Sequence, residues 1–183
     1  MKELRFECLK SDAGIFLYWK KGTNIVVAVI YVDDALFYGP TKAIVDEIKS
    51  LFMKRWECRD LGPAISFLNM WIKFDGHKIL IDQCLYLEKV LEHFGMQNAK
   101  IAPTPLPQGY YPSKHLGSVD SELRSRFQQV IGSLLYITLG TRPDVAYAVA
   151  ALSQHAANPS KEHLDKALYI YQYLLGVYFQ PPF

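Results

Sequence analysis

The stretch Ile25 to Gly39 reads IVVAVI-YVDD-ALFYG, and the rest of the chain is organised around it. Two runs of β-branched and aromatic residues flank the pair Asp33-Asp34. Such runs indicate buried strands, and a short polar pair between them indicates the tip of a tight hairpin. We therefore predict two antiparallel strands with both carboxylates at their connection.

Two neighbouring carboxylates at the rim of an apolar sheet repel each other, and each loses solvation there. A divalent cation removes both costs, because Mg²⁺ prefers carboxylate oxygens and also binds substrate phosphates. Paired metals about 3.5–4 Å apart can stabilise the attacking and leaving oxygens of an in-line phosphoryl displacement. The alternative is that Asp33 and Asp34 only end a solvated turn. A bare Asp-Asp pair in a turn favours this alternative, and the preceding Tyr31 with the apolar strands on both sides shifts the balance toward the metal site.

The composition predicts a folded chain with a substantial core. Of its 183 residues, 50% are hydrophobic and 14% are aromatic, which argues against disorder. The formal net charge of +2 gives little support to nucleic-acid binding by charge alone. The three cysteines, Cys8, Cys58 and Cys84, lie far apart and match no metal-ligand spacing, so we expect free thiols in a reducing compartment.

The start of the chain does not resemble a signal peptide, because Lys2, Glu3 and Arg5 interrupt it. The longest apolar run, Ile25 to Val32, is too short to cross a bilayer. We expect an intracellular protein, cytoplasmic or nuclear, that is neither secreted nor bound to a membrane.

The amino-terminal half is predicted to be rich in strands. A strand from Gly14 to Lys20 and a turn at Lys21–Asn24 precede the central hairpin, so these strands should form an antiparallel meander. A helix from Thr41 to Trp56, capped by Thr41, should cover one face of the sheet with the side that carries Ile44, Ile48, Leu51, Phe52 and Arg55. A strand from Ala64 to Phe74 should turn at Asp75-Gly76 and return from His77 to Ile81.

The carboxyl-terminal half is predicted to be helical. Asp82 should cap a helix from Gln83 to Phe94 that ends at a left-handed Gly95. An irregular, proline-containing stretch follows, and helices resume at Ser121. Breaks at Thr141–Asp144 and Asn158-Pro159 separate three apolar stripes: Phe127, Val130, Ile131, Leu134 and Leu135; Tyr147, Ala148, Ala151 and Leu152; Leu164, Ala167, Leu168, Tyr171, Leu174 and Leu175.

Several motifs in a fixed order resemble one family. They are Tyr31-Val32-Asp33-Asp34, Asp60-Leu61-Gly62, Phe67-Leu68, Phe94-Gly95-Met96, Ile131-Gly132-Ser133-Leu134-Leu135-Tyr136 and Thr141-Arg142-Pro143-Asp144. Together they resemble the carboxyl-terminal part of a copia-type LTR-retrotransposon reverse transcriptase, from about Ser11 to about Gly176. Tyr31 to Asp34 corresponds to the catalytic turn of such enzymes.

The resemblance implies an α+β fold, in which an antiparallel, palm-like sheet with one covering helix precedes a helical thumb and connection region. Residues 1–82 would form the second half of the palm with the primer-side hairpin, and residues 83–97 the first thumb helix. Residues 98–120 would be a proline-rich linker, residues 121–176 the thumb and connection helices, and residues 177–183 a divergent tail.

The resemblance also implies the chemistry of an RNA-directed DNA polymerase. Asp33 and Asp34 would hold Mg²⁺ or Mn²⁺ for two-metal nucleotidyl transfer, with Tyr31 and Val32 beside the nucleotide and primer. The implied partners are an RNA or DNA template with a DNA primer, and a dNTP.

The chain also departs from the family. A third carboxylate and the nucleotide-gripping fingers would lie before Met1, so we expect no activity without such an amino-terminal polymerase segment. Asn69 stands where the family usually has glycine after Phe67-Leu68. The alternative function is a non-catalytic retrotransposon remnant that retains primer–template binding, or no activity.

Other candidate residues have two interpretations each. Gln83 and Tyr86, one helical turn apart, would contact the minor groove of a primer–template duplex, or they are a capping glutamine and a tyrosine at the edge of the core. Arg142 would bind phosphate, or it pairs with a local carboxylate at a helix start. His155 and His163 are weak metal-ligand candidates because Pro159 lies between them.

Overall fold

The computed structural model describes residues 1–20, 24–76 and 78–178, and it combines antiparallel sheets with helices. The chain divides into two compact units, Met1–Phe67 and a second unit that begins at Leu68. Each unit has a hydrophobic core of its own. The predicted mixture of antiparallel strands and helices is confirmed. In the described ranges, every helix is too short or too polar to span a bilayer.

A four-stranded antiparallel meander forms the first unit, with strands in the order β1-β2-β3-β4. The strands are β1 (Phe6–Cys8), β2 (Ile15–Lys20), β3 (Asn24–Tyr31) and β4 (Asp34–Tyr38). The last three are the predicted meander, whereas β1, which follows a 3₁₀ turn at Lys2–Leu4, was not predicted. Most of the predicted turn at Lys21–Asn24 lies outside the described residues.

Helix α1 (Lys42–Arg55) packs on one face of this sheet, as predicted. The Thr41 hydroxyl accepts a hydrogen bond from the backbone N–H of Ile44, so Thr41 is the predicted N-cap. Ile48 and Phe52 are buried, and Ile48 joins Phe6, Val26 and Ala28 in the core. The buried face of α1 is narrower than predicted, because the side chains of Leu51 and Arg55 at its edge are exposed.

The predicted strand from Ala64 to Phe74 is wrong as one continuous element. It divides into β5 (Ser66–Phe67) and β6 (Met70–Asp75), and the two residues between them, Leu68 and Asn69, have φ angles of +51° and +59°. Left-handed backbone turns the chain and cannot continue a strand. The residue at position 69 therefore has a conformation that suits glycine and that asparagine tolerates better than most side chains.

The second unit begins with an antiparallel hairpin of β6 and β7 (Lys78–Asp82), in which Asp75 pairs with Lys78. Gly76 has a φ of +55°, which agrees with the predicted Asp75-Gly76 turn, while His77 lies outside the described residues. Helix α2 (Cys84–His93) follows, and the Asp82 carboxylate accepts the N–H of Cys84.

Gly95 ends α2 as predicted, with a φ of +69°. The N–H of Met96 donates to the carbonyl of Leu91 at 2.7 Å, and the N–H of Gly95 donates to that of Glu92 at 3.0 Å. These two bonds form a Schellman motif, which satisfies carbonyls at the end of the helix.

Three more helices complete the second unit: α3 (Ser121–Gly140), α4 (Ala146–Ser153) and α5 (Lys161–Tyr178). A 3₁₀ turn at Pro143–Val145 leads into α4. The core residues are Leu87, Val90, Leu91, Phe127, Val130, Ile131, Leu134, Ile137, Val145, Ala148, Val149, Leu152, Leu164, Ala167, Ile170, Tyr171, Leu174 and Leu175.

Two residues that we predicted in the apolar stripes are exposed. Leu135 is 38% exposed and Tyr147 is 71% exposed, whereas Ile137 and Val149 are buried. On α3 the buried stripe continues from Leu134 to Ile137, three residues on, and this spacing leaves Leu135 on the helix flank. The second buried stripe begins at Val145, in the 3₁₀ turn that precedes α4. Tyr147, two residues later, therefore lies outside this stripe.

The proline-containing stretch between α2 and α3 has no helix or strand, as predicted, and it packs against the helices of the second unit. Ala102 is buried, and its N–H donates to the carbonyl of Gln172 on α5. The Asn158 amide donates to the carbonyls of His115 and Gly117. Both ends of this stretch are therefore fastened to the helical core.

Candidate active site

The carboxylate pair lies where the sequence predicts it, at the connection of β3 and β4. Tyr31 pairs with Asp34, so the loop consists only of Val32 and Asp33. Asp34 is the first residue of β4, and strand alternation places it with Tyr31 on the sheet face opposite α1. The period of the two apolar strands sets this register, because a slip of one residue would reverse every side chain.

Val32 is in a conformation that the sequence did not indicate. Its φ is +53°, whereas Asp33 is not in the left-handed region, so the loop follows the type II′ pattern, in which only the first central residue has positive φ. A β-branched residue there is an outlier that costs about 1–3 kcal/mol. The Val32 side chain is 82% exposed, so burial of its own surface does not compensate for this cost.

Both carboxylates of the pair are exposed, and within the described part of the chain neither takes part in a hydrogen bond or an ion pair. Their oxygens are therefore available as hard ligands, which fits Mg²⁺ or Mn²⁺. The described residues nevertheless include no group of three or more His, Cys, Asp or Glu side chains that could hold a metal ion.

A further acidic residue, Asp12, lies at the same end of the sheet, but its carboxylate is engaged. Its Oδ1 accepts the N–H of Gly14 at 2.8 Å, and the Gly14 carbonyl accepts the N–H of Ile30, also at 2.8 Å. A Cβ added at Gly14 would lie 2.8 Å from the Ile30 carbonyl oxygen. Glycine at position 14 therefore allows the close backbone contact with Ile30, and this contact positions the end of β3 immediately before Tyr31.

Gln83 and Tyr86 face the interior of the second unit. Gln83 is 4% exposed; its Nε2 donates to the carbonyl of Tyr136 at 3.1 Å, and its Oε1 accepts the Thr141 hydroxyl at 2.8 Å. The half-buried ring of Tyr86 contacts that of Tyr136 at 4.6 Å between centroids. The bonds of Gln83 join α2 to the end of α3, and the contacts of both residues favour a structural role, while groove binding stays a prediction.

Arg142 is paired with a local carboxylate, the second of the two interpretations. Its Nε and Nη2 donate to the two oxygens of Asp144 at 2.9 and 2.6 Å, and the Tyr173 hydroxyl donates to Asp144 Oδ2 at 3.0 Å. The Arg142 hydrogen bonds lower the pKa of Asp144, against the opposing effect of burial. This network fastens the start of the α4 region to α5, and phosphate binding by Arg142 stays a prediction.

Comparison with known proteins identifies the family. A family model described as reverse transcriptase (RNA-dependent DNA polymerase) matches residues 1–108, more than half of the chain. The chain belongs to the reverse transcriptase family. This match includes the Tyr31–Asp34 hairpin and α2, and it confirms the resemblance that the motifs predicted.

Relatives of the chain include Pol polyproteins of plant transposons. It is 35% identical over 177 residues to the retrovirus-related Pol polyprotein from transposon TNT 1-94 of Nicotiana tabacum, a match that covers 92% of this chain and 13% of that polyprotein. It is 30% identical over 166 residues to the polyprotein from transposon RE1 of Arabidopsis thaliana, covering 91% of this chain and 11% of that one.

A third relative is shorter. The chain is 30% identical over 151 residues to the uncharacterized mitochondrial protein AtMg00810 of Arabidopsis thaliana, and the match covers 82% of this chain and 62% of that protein. The chain thus spans less than two thirds of each of these three relatives. No solved structure matches it.

The structure brings His155 and His163 together, which sequence spacing did not indicate. Their rings stack at 4.2 Å between centroids. The turn that contains Pro159 reverses the chain between α4 and α5, so residues that share no helix face meet across it. In the described ranges they belong to no group of three metal-ligating side chains.

Proposed function

We propose that this chain is the part of an RNA-directed DNA polymerase that supplies Asp33 and Asp34 as ligands of the catalytic metals. The observation that carries the proposal is the pair of exposed carboxylates without partners at the tip of the Tyr31–Asp34 hairpin, in a chain of the reverse transcriptase family. When bound, Mg²⁺ or Mn²⁺ would neutralise charge on the oxygens that attack and leave in nucleotidyl transfer.

The residues of the chain would position the ligands and the primer. The paired strands hold Asp33 in a loop of only two residues and Asp34 at the start of β4, which limits the orientations of both side chains. The exposed ring of Tyr31 lies on the same sheet face as Asp34 and would contact the nucleotide or the primer end, with Val32 beside it. We assign the sheet and α1 to the second half of a palm, and the later helices to the thumb and connection.

The implied partners follow from this assignment. They are an RNA or DNA template with its DNA primer, a dNTP, and an amino-terminal polymerase segment that contributes a third carboxylate and the nucleotide-binding fingers. The described residues include no cluster of three metal-ligating side chains around the pair. We therefore propose that the 183 residues alone bind metal weakly and do not extend a primer.

A Mn²⁺ titration followed by paramagnetic broadening in NMR spectra tests the metal site. Broadening should centre on residues 31–35 and should be lost when Asp33→Asn and Asp34→Asn are combined. Asp12→Asn is the matched control, because it removes one charge at the same end of the sheet while its amide oxygen can still accept the Gly14 N–H. Broadening that is unchanged in the double variant would contradict the assignment.

Primer extension on an RNA template tests the catalytic role. We expect no product from the 183 residues alone, product when the amino-terminal segment is supplied, and loss of that product with Asp33→Asn. Removing one metal ligand costs several kcal/mol of transition-state stabilisation, and each 1.36 kcal/mol is about tenfold in rate. Duplex binding without extension in the complete assembly would favour the non-catalytic remnant instead.

A further inference from the structure

A pair of histidines lies at the junction of α4, α5 and the proline-containing stretch. His155 follows α4, and His163 lies in the first turn of α5. The rings are 4.2 Å apart between centroids and inclined by 23°, and the ring of Phe127 on α3 lies 6.4 Å from that of His163. His163 is only 2% exposed, so a charge on it would be largely removed from water.

The hydrogen bonds of His163 require its neutral form. Its Nδ1 accepts the backbone N–H of Ser160 at 3.1 Å, while the Ser160 hydroxyl accepts the backbone N–H of His163 at 3.2 Å. The two residues thus satisfy each other's donors at the start of α5. A protonated imidazole carries hydrogen on both nitrogens and accepts no hydrogen bond. Proton uptake by His163 would therefore break the bond from Ser160.

The combined effect of the groups around His163 disfavours its charged form. Burial, and then the imidazole of His155, lower the pKa of His163, and His115 in the proline-containing stretch acts in the same direction. A backbone hydrogen bond with Ser113 and the carboxylate of Glu162 raise the pKa, but the net shift is downward. Phe127, on the α3 side, adds no charge.

The same junction holds the proline-containing stretch. Asn158, in the turn between the two histidines, donates from Nδ2 to the carbonyls of His115 at 3.3 Å and of Gly117 at 3.1 Å. The Asn158 Oδ1 atom is buried without a hydrogen-bond partner in the described part of the chain. These bonds depend on the shape of the turn, because Asn158 lies two residues from Ser160.

We propose that His155 and His163 form an acid-sensitive catch, in which proton uptake by His163 from solvent breaks its bond with Ser160 and releases the carbonyls of His115 and Gly117 from Asn158 in the α4–α5 turn. The catch is closed while the imidazole of His163 is neutral.

The direction of the pH dependence follows from linkage. The folded pKa of His163 lies below the ordinary histidine value of about 6.5, so the open form binds more protons. The stabilisation is complete above that ordinary value and is lost progressively as the pH falls from it toward the lower folded pKa. For one proton, the opening equilibrium changes by at most about tenfold per pH unit in this window.

Amide hydrogen exchange of the complete chain at pH values from 7.5 to 5.0, corrected for intrinsic exchange rates, tests the catch. The readouts are the amides of Asn158 and Leu164, which donate to the carbonyls of His155 and Ser160. Their protection should fall by up to about tenfold per pH unit below pH 6.5. The amide of Leu87, which donates to the carbonyl of Gln83 at the start of α2, should stay protected. Equal loss at Leu87, or no loss at Asn158 and Leu164, would overturn the proposal.

Variants identify the responsible group. His163→Asn keeps an acceptor near the position of Nδ1 but does not titrate, so the pH dependence at Leu164 should disappear. His155→Phe keeps a stacked ring without charge and should reduce the dependence. His93→Asn, at an exposed histidine on α2, is the control and should leave it unchanged. A wild-type pH response in His163→Asn would refute the catch, and if that variant does not fold, an undiminished response in His155→Phe would refute it.

Discussion

The substitution Gly140→Ala should destabilise the chain, although alanine is the better helix former. Gly140 is the last residue of α3, and a Cβ added there would lie 2.5–2.6 Å from the Oε1, Cδ and Nε2 atoms of Gln83. Gln83 is buried and holds the Tyr136 carbonyl and the Thr141 hydroxyl through these same atoms. The amide must therefore move and lose both bonds.

The magnitude follows from two opposing effects. Each lost hydrogen bond costs about 1 kcal/mol, and a buried polar group left without a partner costs about 1–3 kcal/mol. Replacing a helical glycine with alanine stabilises the helix by at most about 1 kcal/mol, which offsets part of this cost. We expect Gly140→Ala to lower the free energy of unfolding by about 2–4 kcal/mol.

Gly132→Ala is the matched control. Gly132 lies in the middle of the same helix, and a Cβ there would meet no atom within 4 Å, so the same change should raise the free energy of unfolding by about 0.5–1 kcal/mol. Urea unfolding followed by far-UV circular dichroism compares the two variants. In combination with Gln83→Ala, the cost of Gly140→Ala should shrink, because the clash is absent. Equal stabilisation by both glycine substitutions would refute the reasoning.

Three further predictions concern the loop, the arginine pair and a helix cap. Val32→Gly should raise the free energy of unfolding by up to about 1 kcal/mol in urea, because glycine adopts positive φ without strain; a fall of that size would contradict the strain. Asp144 has a lowered pKa, so its stabilisation is present above the ordinary value of about 3.9 and is lost as the pH falls through the lower folded pKa. In Arg142→Gln, the free energy of unfolding should decrease less as the pH is lowered from 6 to 2. An unchanged pH profile would show that Arg142 does not cause this stabilisation. Asp120 accepts the N–H groups of Glu122 and Leu123 at 3.0 Å each, so Asp120→Ala should cost about 1 kcal/mol and Asp120→Asn much less in thermal unfolding; equal losses would argue against the cap.

Local chemistry determined much of this protein. The period of the apolar residues on either side of Asp33-Asp34 specified the hairpin and its register, because one slip would expose the buried face. Thr41 and Gly95 marked helix ends, since a hydroxyl at an N-cap and a glycine at positive φ act within a few residues. The motif at Tyr31–Asp34 likewise indicated the family and the candidate ligands without any tertiary information.

Tertiary structure alone decided the features that depend on residues far apart in the chain. The burial of Gln83 depends on the end of α3, more than 50 residues away. The contact of His155 with His163 depends on how the turn at Pro159 reverses the chain. The exposure of Tyr147 depends on the 3₁₀ turn before α4, which determines which side of that helix faces the core. Pattern and propensity describe only neighbours within a turn or a strand, whereas packing against other elements selects which face of each one is buried.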